Sequence, residues 1–480
     1  MIKAFLKDSI IYTIPIILSR GIGIFLLPIY TRITSPDELG ALDLFIAFGN
    51  IVALTVAVEI SQGISRYIPE SKGKLRRSYA FTGLIFTLAT YCLSILLFFL
   101  FADNLTILIT GSGDYLTEFK LALIYIFFNG FYYYFQNLLR FEGKSFLFSI
   151  SSITYACSNL FLVLIFGIFL NQGLEAILNS LILSSLFVSL LSLYFLRNSF
   201  EKVFRFDLLK KLLAFSLPLV PASVLVFISL YVDRFMINEI IGIQSVGLYS
   251  VAVKIASATA LITVGFQMAI TPLIYKYYND KETPNNLAKI FKYFVAGYSL
   301  FFISFSLLSK ELILLLATPE YYAISSLIPI LSLAFLFSHI YVFMPGIVIK
   351  KKTYIIFFIN IVVAILNIIL NLILIPKFNI LGAAFGTTLG YLFGFLMYIF
   401  FSQKFYHVNH DWGKCFLNFL LSVFLVFLYF NFFLETKYML SIFIRVSFVA
   451  ILILFIIYSK LVSLKELYTM RDSFLQKFKK

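Results

Sequence analysis

Apolar residues occur along the whole 480-residue chain in runs of about 20, separated by short polar connections. A run of this length can cross a bilayer as a helix, whose backbone satisfies its own hydrogen bonds in lipid. The runs lack the alternation over about ten residues that barrel strands show. The pattern predicts an all-α polytopic membrane protein of fourteen transmembrane helices, centred on 10–30, 40–68, 79–102, 119–138, 146–170, 175–196, 212–232, 246–275, 287–308, 323–346, 353–375, 381–401, 414–434 and 441–460.

The plan of residues 12–43 recurs in residues 215–250, about 200 positions later. In each copy an apolar helix with proline leads to a polar exit and a short loop. The next helix then opens with Leu39-Gly40 in the first copy and with Val246-Gly247 in the second. Internal repeats of this size determine the architecture of a chain before any local motif does.

A repeat of six helices preserves orientation, so the two copies should form parallel lobes related by an axis along the membrane normal. We expect one lobe in residues 1–200 (helices 1–6) and the other in residues 201–405 (helices 7–12). Residues 406–480 then hold helices 13 and 14 and a basic tail. Two similar lobes around a central cavity suit alternating access, with a duplicated channel or a scaffold as the alternative.

The net charge of +15 would suit nucleic-acid binding if the basic residues formed one surface. Instead, most of the 38 basic residues fall in one set of alternate loops, and four lie within apolar runs. The opposite loops hold only Arg32, Lys120, Arg234, Lys310, Lys377 and Lys437. The positive-inside rule then places both termini in the cytoplasm and predicts the bilayer, not a nucleic acid, as partner. The first run lacks a small-residue cleavage site, so we expect a span there and not a signal peptide.

The four basic residues within the apolar runs are Arg20, Arg66, Lys254 and Arg445. Each costs about 2.5–3.5 kcal/mol at the bilayer centre, so a deep one should face the protein interior. Arg20 and Lys254 are deep by their position in the predicted helices, and we expect both to face the cavity. For Arg66 and Arg445, snorkelling to the interface is an equally good explanation.

Predicted helix 2 begins with Asp43 and carries Glu59, Gln62 and Arg66 at spacings that define one helical face. Glu59 either pairs with Arg66 or Arg20 to hold helices together, or it is a protonatable or sodium-binding carboxylate. Asp233-Arg234, at the predicted outer end of helix 7, is either a local ion pair or part of a gate.

Other polar residues within the spans have ordinary explanations. In predicted helix 11, Asn360, Asn367 and Asn371 share a face and should join helices by hydrogen bonds. Helix 4 holds an aromatic and polar belt, for which interface anchoring is favoured over sugar contact. The belt consists of Asn129, Tyr132, Tyr133, Tyr134, Gln136 and Asn137. His339 should be a packed histidine.

Motifs for catalysis, nucleotide binding or metal binding are missing from the sequence. It contains no GxSxG, Walker, HExxH or glycine-rich phosphate motif and no Cys/His cluster. We therefore expect a non-enzyme without cofactor or catalytic residues, whose transport is not driven by its own ATP hydrolysis. Coupling to H⁺ or Na⁺ is left open.

Three segments resemble the polysaccharide-biosynthesis or O-antigen flippase family of the multidrug/oligosaccharidyl-lipid/polysaccharide (MOP) exporter superfamily. They are Leu27-Pro28 with Tyr30-Thr31-Arg32 and Gly40; Asp233-Arg234 with Gly242, Gly247–Ala252 and Lys254-Ile255; and Asn367–Pro376 with Leu381–Thr387. The similarity extends through both predicted lobes. It implies a MATE-like, V-shaped, two-lobed flippase in the bacterial cytoplasmic membrane. Its implied substrate is an undecaprenyl-pyrophosphate-linked oligosaccharide for O-antigen, capsule or exopolysaccharide synthesis, with a polysaccharide polymerase complex as a partner.

The buried basic residues suit a pyrophosphate head group, which needs cationic partners in a low-dielectric cavity. The expected substrate-binding residues are Arg20, Lys254, Arg66 and Arg234, and those expected for ion coupling or gating are Glu59, Asp43 and Asp233. A MATE-type small-molecule exporter and a peptidoglycan lipid-precursor flippase are the alternatives. A cavity of net positive charge would disfavour organic cations and hence the exporter.

Overall fold

The protein is helical throughout the residues that its structure, a computed structural model, describes, namely 23–434 and 436–462. The predicted site residue Arg20 and the basic tail from residue 463 lie outside these ranges. The helices are α1 (Gly23–Ile33), α2 (Pro36–Thr55), α3 (Ile60–Tyr67), α4 (Gly73–Leu100), α5 (Ala102–Thr110), α6 (Leu116–Phe141), α7 (Ser145–Val163), α8 (Gly173–Phe195), α9 (Phe206–Ser216), α10 (Val220–Ile240), α11 (Ile243–Ala256), α12 (Ala260–Tyr277), α13 (Thr283–Leu307), α14 (Ser309–Leu316), α15 (Leu327–His339), α16 (Gly346–Ile349), α17 (Thr353–Phe405), α18 (Trp412–Leu428) and α19 (Tyr438–Tyr458).

Eleven helices in the described part of the chain are long and apolar enough to cross a membrane. The prediction of an all-α, multi-pass protein is therefore confirmed, whereas the number fourteen stays a prediction. The helices α1 and α6 are not among the eleven. The predicted spans 353–375 and 381–401 form the single element α17, which is interrupted at Asn379 (φ 51°, ψ −137°).

The second predicted span, residues 40–68, is not one helix. Its first part, α2, ends at Thr55, and α3 begins at Ile60. Between them Val58 (φ 49°) and Glu59 (φ 50°) adopt the left-handed conformation, which costs energy for any residue with a side chain. Glu59 therefore does not share one continuous helical face with Gln62 and Arg66, and that prediction was wrong.

The backbone packs into two compact units. Unit 1 comprises the described residues up to Ala258, Leu316–Tyr321 and Asn360–Gly390; unit 2 comprises Thr259–Leu315, Tyr322–Ile359 and the described residues from Tyr391. These units are defined by packing and not by the repeat, so the lobe boundaries at residues 200 and 405 stay a prediction.

Within unit 1, α2 and α11 cross with their backbones in direct contact. A Cβ atom added to Gly40 would overlap the carbonyl oxygen of Ile243, and one added to Gly247 would overlap that of Pro36. Gly40 thus meets Ile243, four positions before Gly247, and Gly247 meets Pro36, four positions before Gly40. The crossing is therefore reciprocal. The two copies of the sequence repeat therefore touch at the glycine that they share. Close approach through small residues is a common way for helices to associate in membranes.

The start of α2 is fixed by a capping box. The side chain of Ser35 accepts a hydrogen bond from the Glu38 amide, and the Glu38 carboxylate accepts one from the Ser35 amide, at 2.8 Å. Pro36 occupies the first turn, where its missing N–H costs nothing. This cap determines where the Pro36 carbonyl lies and hence where Gly247 can approach.

Arg445 is buried in unit 2. From the sequence, snorkelling to the interface and a functional role were equally good explanations for it. Its guanidinium forms an ion pair with Glu311, and its Nε donates to the Tyr429 hydroxyl at 2.8 Å. Arg445 is 9% exposed, so in the structure it is a buried ion-pair partner that joins α19 to α14.

Also in unit 2, His410 lies in the connection before α18. Its ring centroid is 4.5 Å from that of Phe291 and 5.0 Å from that of Trp412. Burial lowers the pKa of the His410 imidazole to about 4. The protonated form is therefore disfavoured in the folded protein.

We expect Gly247→Ala to reduce stability by about 1–3 kcal/mol, because the added methyl group meets backbone and not a movable side chain. Thermal melting of the purified protein in detergent measures this. The matched control is Gly265→Ala in α12, where a Cβ would have open space, and which should be neutral or stabilising. Equal melting temperatures for the two variants would contradict the reciprocal crossing.

The low pKa of His410 predicts a loss of stability as the pH falls. A histidine in the unfolded chain has a pKa near 6.5. The contribution of His410 to the free energy of unfolding is therefore complete above that pH and decreases towards the folded pKa of about 4. Between pH 7 and pH 5 the loss should be about 2 kcal/mol. His410→Leu should remove this part of the pH dependence of melting, whereas His407→Leu, at an exposed position nearby, should retain it.

Candidate functional site

A buried ion-pair cluster joins α2 to α10. The Nε atom of Arg234 donates to Asp43 Oδ2 at 2.9 Å, and its Nη1 atom donates to Asp233 Oδ1 at 2.8 Å. All three residues are less than 10% exposed. Arg234 is thus held between two carboxylates, with the Tyr231 ring 5.0 Å from its guanidinium carbon.

Asp233 connects this cluster to α11 and to the part of α17 that follows Asn379. Its Oδ2 atom accepts hydrogen bonds from the hydroxyls of Tyr249 (2.7 Å) and Thr387 (3.2 Å). Asn367 Nδ2 donates to Thr387 Oγ1 at 3.5 Å, and Asn371 Nδ2 donates to Asn367 Oδ1 at 2.8 Å. Two of the three asparagines predicted to share a face therefore belong to this network, which joins the parts of α17 before and after Asn379.

Lys254 lies at the margin of the cluster. It is half-buried, and its Nζ atom is 5.9 Å from the centroid of the Tyr30 ring. It is also near enough to Asp43 and Arg234 to interact electrostatically with both. With Lys254 included, the cluster carries two carboxylates and two cations and is close to neutral, which reduces the cost of its burial.

The structure corrects the predicted position of Asp233-Arg234. The sequence placed the pair at the exit of helix 7, but α10 continues to Ile240 and ends before Gly242 (φ 125°). The helix can continue because the charges are neutralised within the protein. With both carboxylates on its guanidinium, Arg234 fits an ion-pair or gate role better than substrate binding, and its role stays a prediction.

A cavity of about 570 Å³ lies in unit 1, between α2, α3, α4, α6, α10 and α17. Its polar and aromatic lining includes Asn50, Glu59, Gln62, Tyr91, Tyr133, Tyr134, Asn137, Arg140, Ser223, Tyr231 and Asn360. Among the described residues that line it, Glu59 and Arg140 are the charged ones. The net positive cavity that the sequence suggested is therefore not seen in this part of the chain.

The strained connection between α2 and α3 brings Glu59 to the cavity. Its Oε1 atom accepts a hydrogen bond from the Ser223 hydroxyl at 2.5 Å. The proposed Glu59–Arg66 pair does not form, because Arg66 pairs with Glu70 on the exposed side of α3. A pair with Arg20 lies outside the described residues.

The belt of α6 has two sides. Tyr133, Tyr134 and Asn137 line the cavity, whereas Tyr132 stacks on Tyr155 at 4.5 Å between ring centroids. Arg140 also lines the cavity, although its position after the predicted span indicated a loop charge. Tyr133, Asn137 and Arg140 are spaced i, i+4, i+7, the spacing of one helical face, and this signal could have identified it.

Breaking the buried cluster should be costly. Arg234→Gln leaves two carboxylates without their cation and should destabilise the protein by about 3–5 kcal/mol. The matched control is Arg66→Gln, which breaks the exposed Arg66–Glu70 pair and should cost at most about 1 kcal/mol. Thermal melting of both variants tests this. Equal stabilities would show that the Arg234 pairs do not hold α2 to α10.

Comparisons with known proteins agree with this architecture. The family model described as "Polysaccharide biosynthesis protein" matches residues 5–278. The structure of "Lipid II flippase MurJ, inward closed conformation" is similar with a TM-score of 0.73 at 20% identity, over 92% of this chain and 98% of that one. A multidrug resistance MATE family transporter of the MOP superfamily, inward-facing, has a TM-score of 0.67 at 17% identity, over 82% and 97%. The outward-facing conformation of a multidrug resistance MATE family transporter of the MOP superfamily has a TM-score of 0.58 at 18% identity, over 83% and 95%.

No curated protein sequence matches the chain. At these identities the structural similarity establishes the fold alone. Because the family model covers more than half of the sequence, this multi-pass membrane protein belongs to the polysaccharide biosynthesis protein family.

Proposed function

We propose that the protein is a flippase that moves undecaprenyl-pyrophosphate-linked oligosaccharides across the bacterial cytoplasmic membrane by alternating access. The polymer served would be an O-antigen, a capsule or an exopolysaccharide. The observation that carries the proposal is the cavity in unit 1, in a member of the polysaccharide biosynthesis protein family. Its volume is within the range of about 300–1,000 Å³ typical of ligand sites.

The lining of the cavity suits a sugar attached to a phosphate. The amides of Asn50 and Asn137 can donate to and accept from sugar hydroxyls. The exposed ring of Tyr133 offers an apolar surface with a polar edge. Arg140 can contact phosphate oxygens through two parallel N–H groups. A lipid-linked glycan presents all three kinds of group together.

The ion-pair cluster would hold the transporter in one of its states. A transport cycle requires contacts that differ between two conformations. In this proposal Asp43 and Asp233 hold Arg234 in the present conformation, and separation of α2 from α10 breaks these pairs. Lys254 and Arg20 would then contact the pyrophosphate, and Arg66 would assist at the exposed end of α3.

Glu59 would couple the cycle to an ion. It lies on a strained backbone in the cavity, held by one hydrogen bond from Ser223. Binding of a proton or Na⁺ at this carboxylate would change that contact and favour a different arrangement of α2 and α3. The same role is proposed for Asp43 and Asp233 within the cluster.

A MATE-type exporter of organic cations is the second candidate. Glu59 is the one carboxylate among the described residues of the cavity lining, and four tyrosines line the same cavity. A carboxylate with aromatic faces is a suitable site for a cation. In that case Glu59→Gln should abolish drug export. In a flippase it should slow glycan turnover and leave drug sensitivity unchanged.

Glycan export per folded molecule tests the leading proposal. We expect Arg140→Gln to lower export at least tenfold at equal membrane protein level, because it removes the proposed phosphate contact. The matched control is Arg197→Gln. Both arginines stand over an adjacent aromatic ring, at 4.9 Å and 4.2 Å, but Arg197 does not line the cavity. Normal export by Arg140→Gln would contradict the proposal.

A further inference from the structure

A second cavity, of about 510 Å³, lies in unit 2 where the beginning and the end of α17 come together. It is lined by Tyr354, Ile355, Phe358, Phe401 and Phe405, with Lys352 and Lys404 at its polar end. We call it the di-lysine groove. It shares no residue with the cavity in unit 1 and has no part in the mechanism above.

The charge of the di-lysine groove has one sign. Lys352 and Lys404 line it, and no acidic residue does. The Nζ atom of Lys352 is 4.2 Å from the centroid of the Phe405 ring, which holds this cation at the groove. Two cations on one cavity without a carboxylate are complementary to an anion.

The remaining lining is apolar and open to the surroundings. Tyr354 is 66% exposed and Phe358 is 50% exposed, although both belong to a helix long and apolar enough to cross a membrane. Such side chains face lipid and not water. A soluble anion would leave this apolar wall unused, whereas a phospholipid brings an acyl chain to it and a phosphate to the lysines.

We infer that the di-lysine groove binds an anionic phospholipid. The phosphate lies between Lys352 and Lys404, and an acyl chain follows Tyr354 and Phe358. The sequence assigns both lysines to the loops on the predicted cytoplasmic side. Basic pockets between transmembrane helices on that side are suited to acidic head groups. The occupied groove would join the two ends of α17, the helix whose middle portion contributes Thr387 to the ion-pair cluster.

Native mass spectrometry of the full-length protein in detergent tests the inference. The probes are phosphatidylglycerol, phosphatidylcholine with the same acyl chains, and inorganic phosphate. We expect phosphatidylglycerol adducts with at least tenfold higher affinity than phosphatidylcholine adducts. Each lysine near an anionic membrane contributes an effect of about fivefold. Lys352→Gln combined with Lys404→Gln should therefore weaken phosphatidylglycerol binding by about 25-fold.

The matched control combines Lys350→Gln with Lys351→Gln. These lysines occupy the same turn and are exposed, but they do not line the groove. The control should bind as the parent does, and Lys352→Arg with Lys404→Arg should retain binding. Equal loss in both glutamine pairs would mean a diffuse surface charge effect and would overturn the inference. Parental binding by Lys352→Gln/Lys404→Gln, equal affinity for phosphatidylcholine, or displacement of the lipid by inorganic phosphate alone would also overturn it.

Discussion

The backbone contact between α2 and α11 determines the position of the charged groups in unit 1. Gly40 and Gly247 let the two helices approach very closely. A Cβ atom added to either glycine would lie 3.1 Å from the amide nitrogen of the other. Asp43 is one turn beyond Gly40 on α2, and its carboxylate accepts a hydrogen bond from Arg234 of α10, a helix that packs against both α2 and α11. Tyr249, two residues beyond Gly247, reaches Asp233. Separation of α2 from α10 in this three-helix contact would leave the buried Arg234 guanidinium without one of its carboxylates, at a cost of several kcal/mol.

A second constraint is the strained connection after α2. Two consecutive residues, Val58 and Glu59, hold left-handed conformations, and each costs of order 1–3 kcal/mol. The surrounding structure must offset this, and the Ser223 hydrogen bond to Glu59 contributes. The result is a carboxylate at the wall of a cavity instead of on the side of a long helix. Strain at a ligand-sized cavity is typical of sites that change conformation during function.

The sequence predicted the features that depend on local composition. Span length and apolar content predicted the multi-pass helical class. The repeated Leu39-Gly40 and Val246-Gly247 indicated a duplication, but the sequence did not show that the two helices cross at these glycines. The sequence could not predict which charges pair, because Asp43 and Arg234 are 191 positions apart and only the tertiary fold brings them together. The break at Glu59 could not be predicted either, since no proline or glycine marks it. The position of Arg140 in the cavity lining could not be predicted from its charge, because charge alone does not show which way the end of a helix faces.

Site-specific cross-linking tests whether the cavity in unit 1 is the path of the lipid-linked glycan, as we propose. A photo-reactive amino acid is introduced at Tyr133, which lines the cavity, and separately at Phe161, which is 63% exposed on α7 and lies outside the cavity. Membranes containing a radiolabelled undecaprenyl-pyrophosphate-linked oligosaccharide are then irradiated. If the cavity is the path, the protein with the probe at position 133 becomes labelled, and unlabelled lipid-linked glycan prevents this labelling. No labelling that unlabelled glycan prevents is expected at position 161. Equal labelling at the two positions, or labelling at neither while export continues, would contradict it.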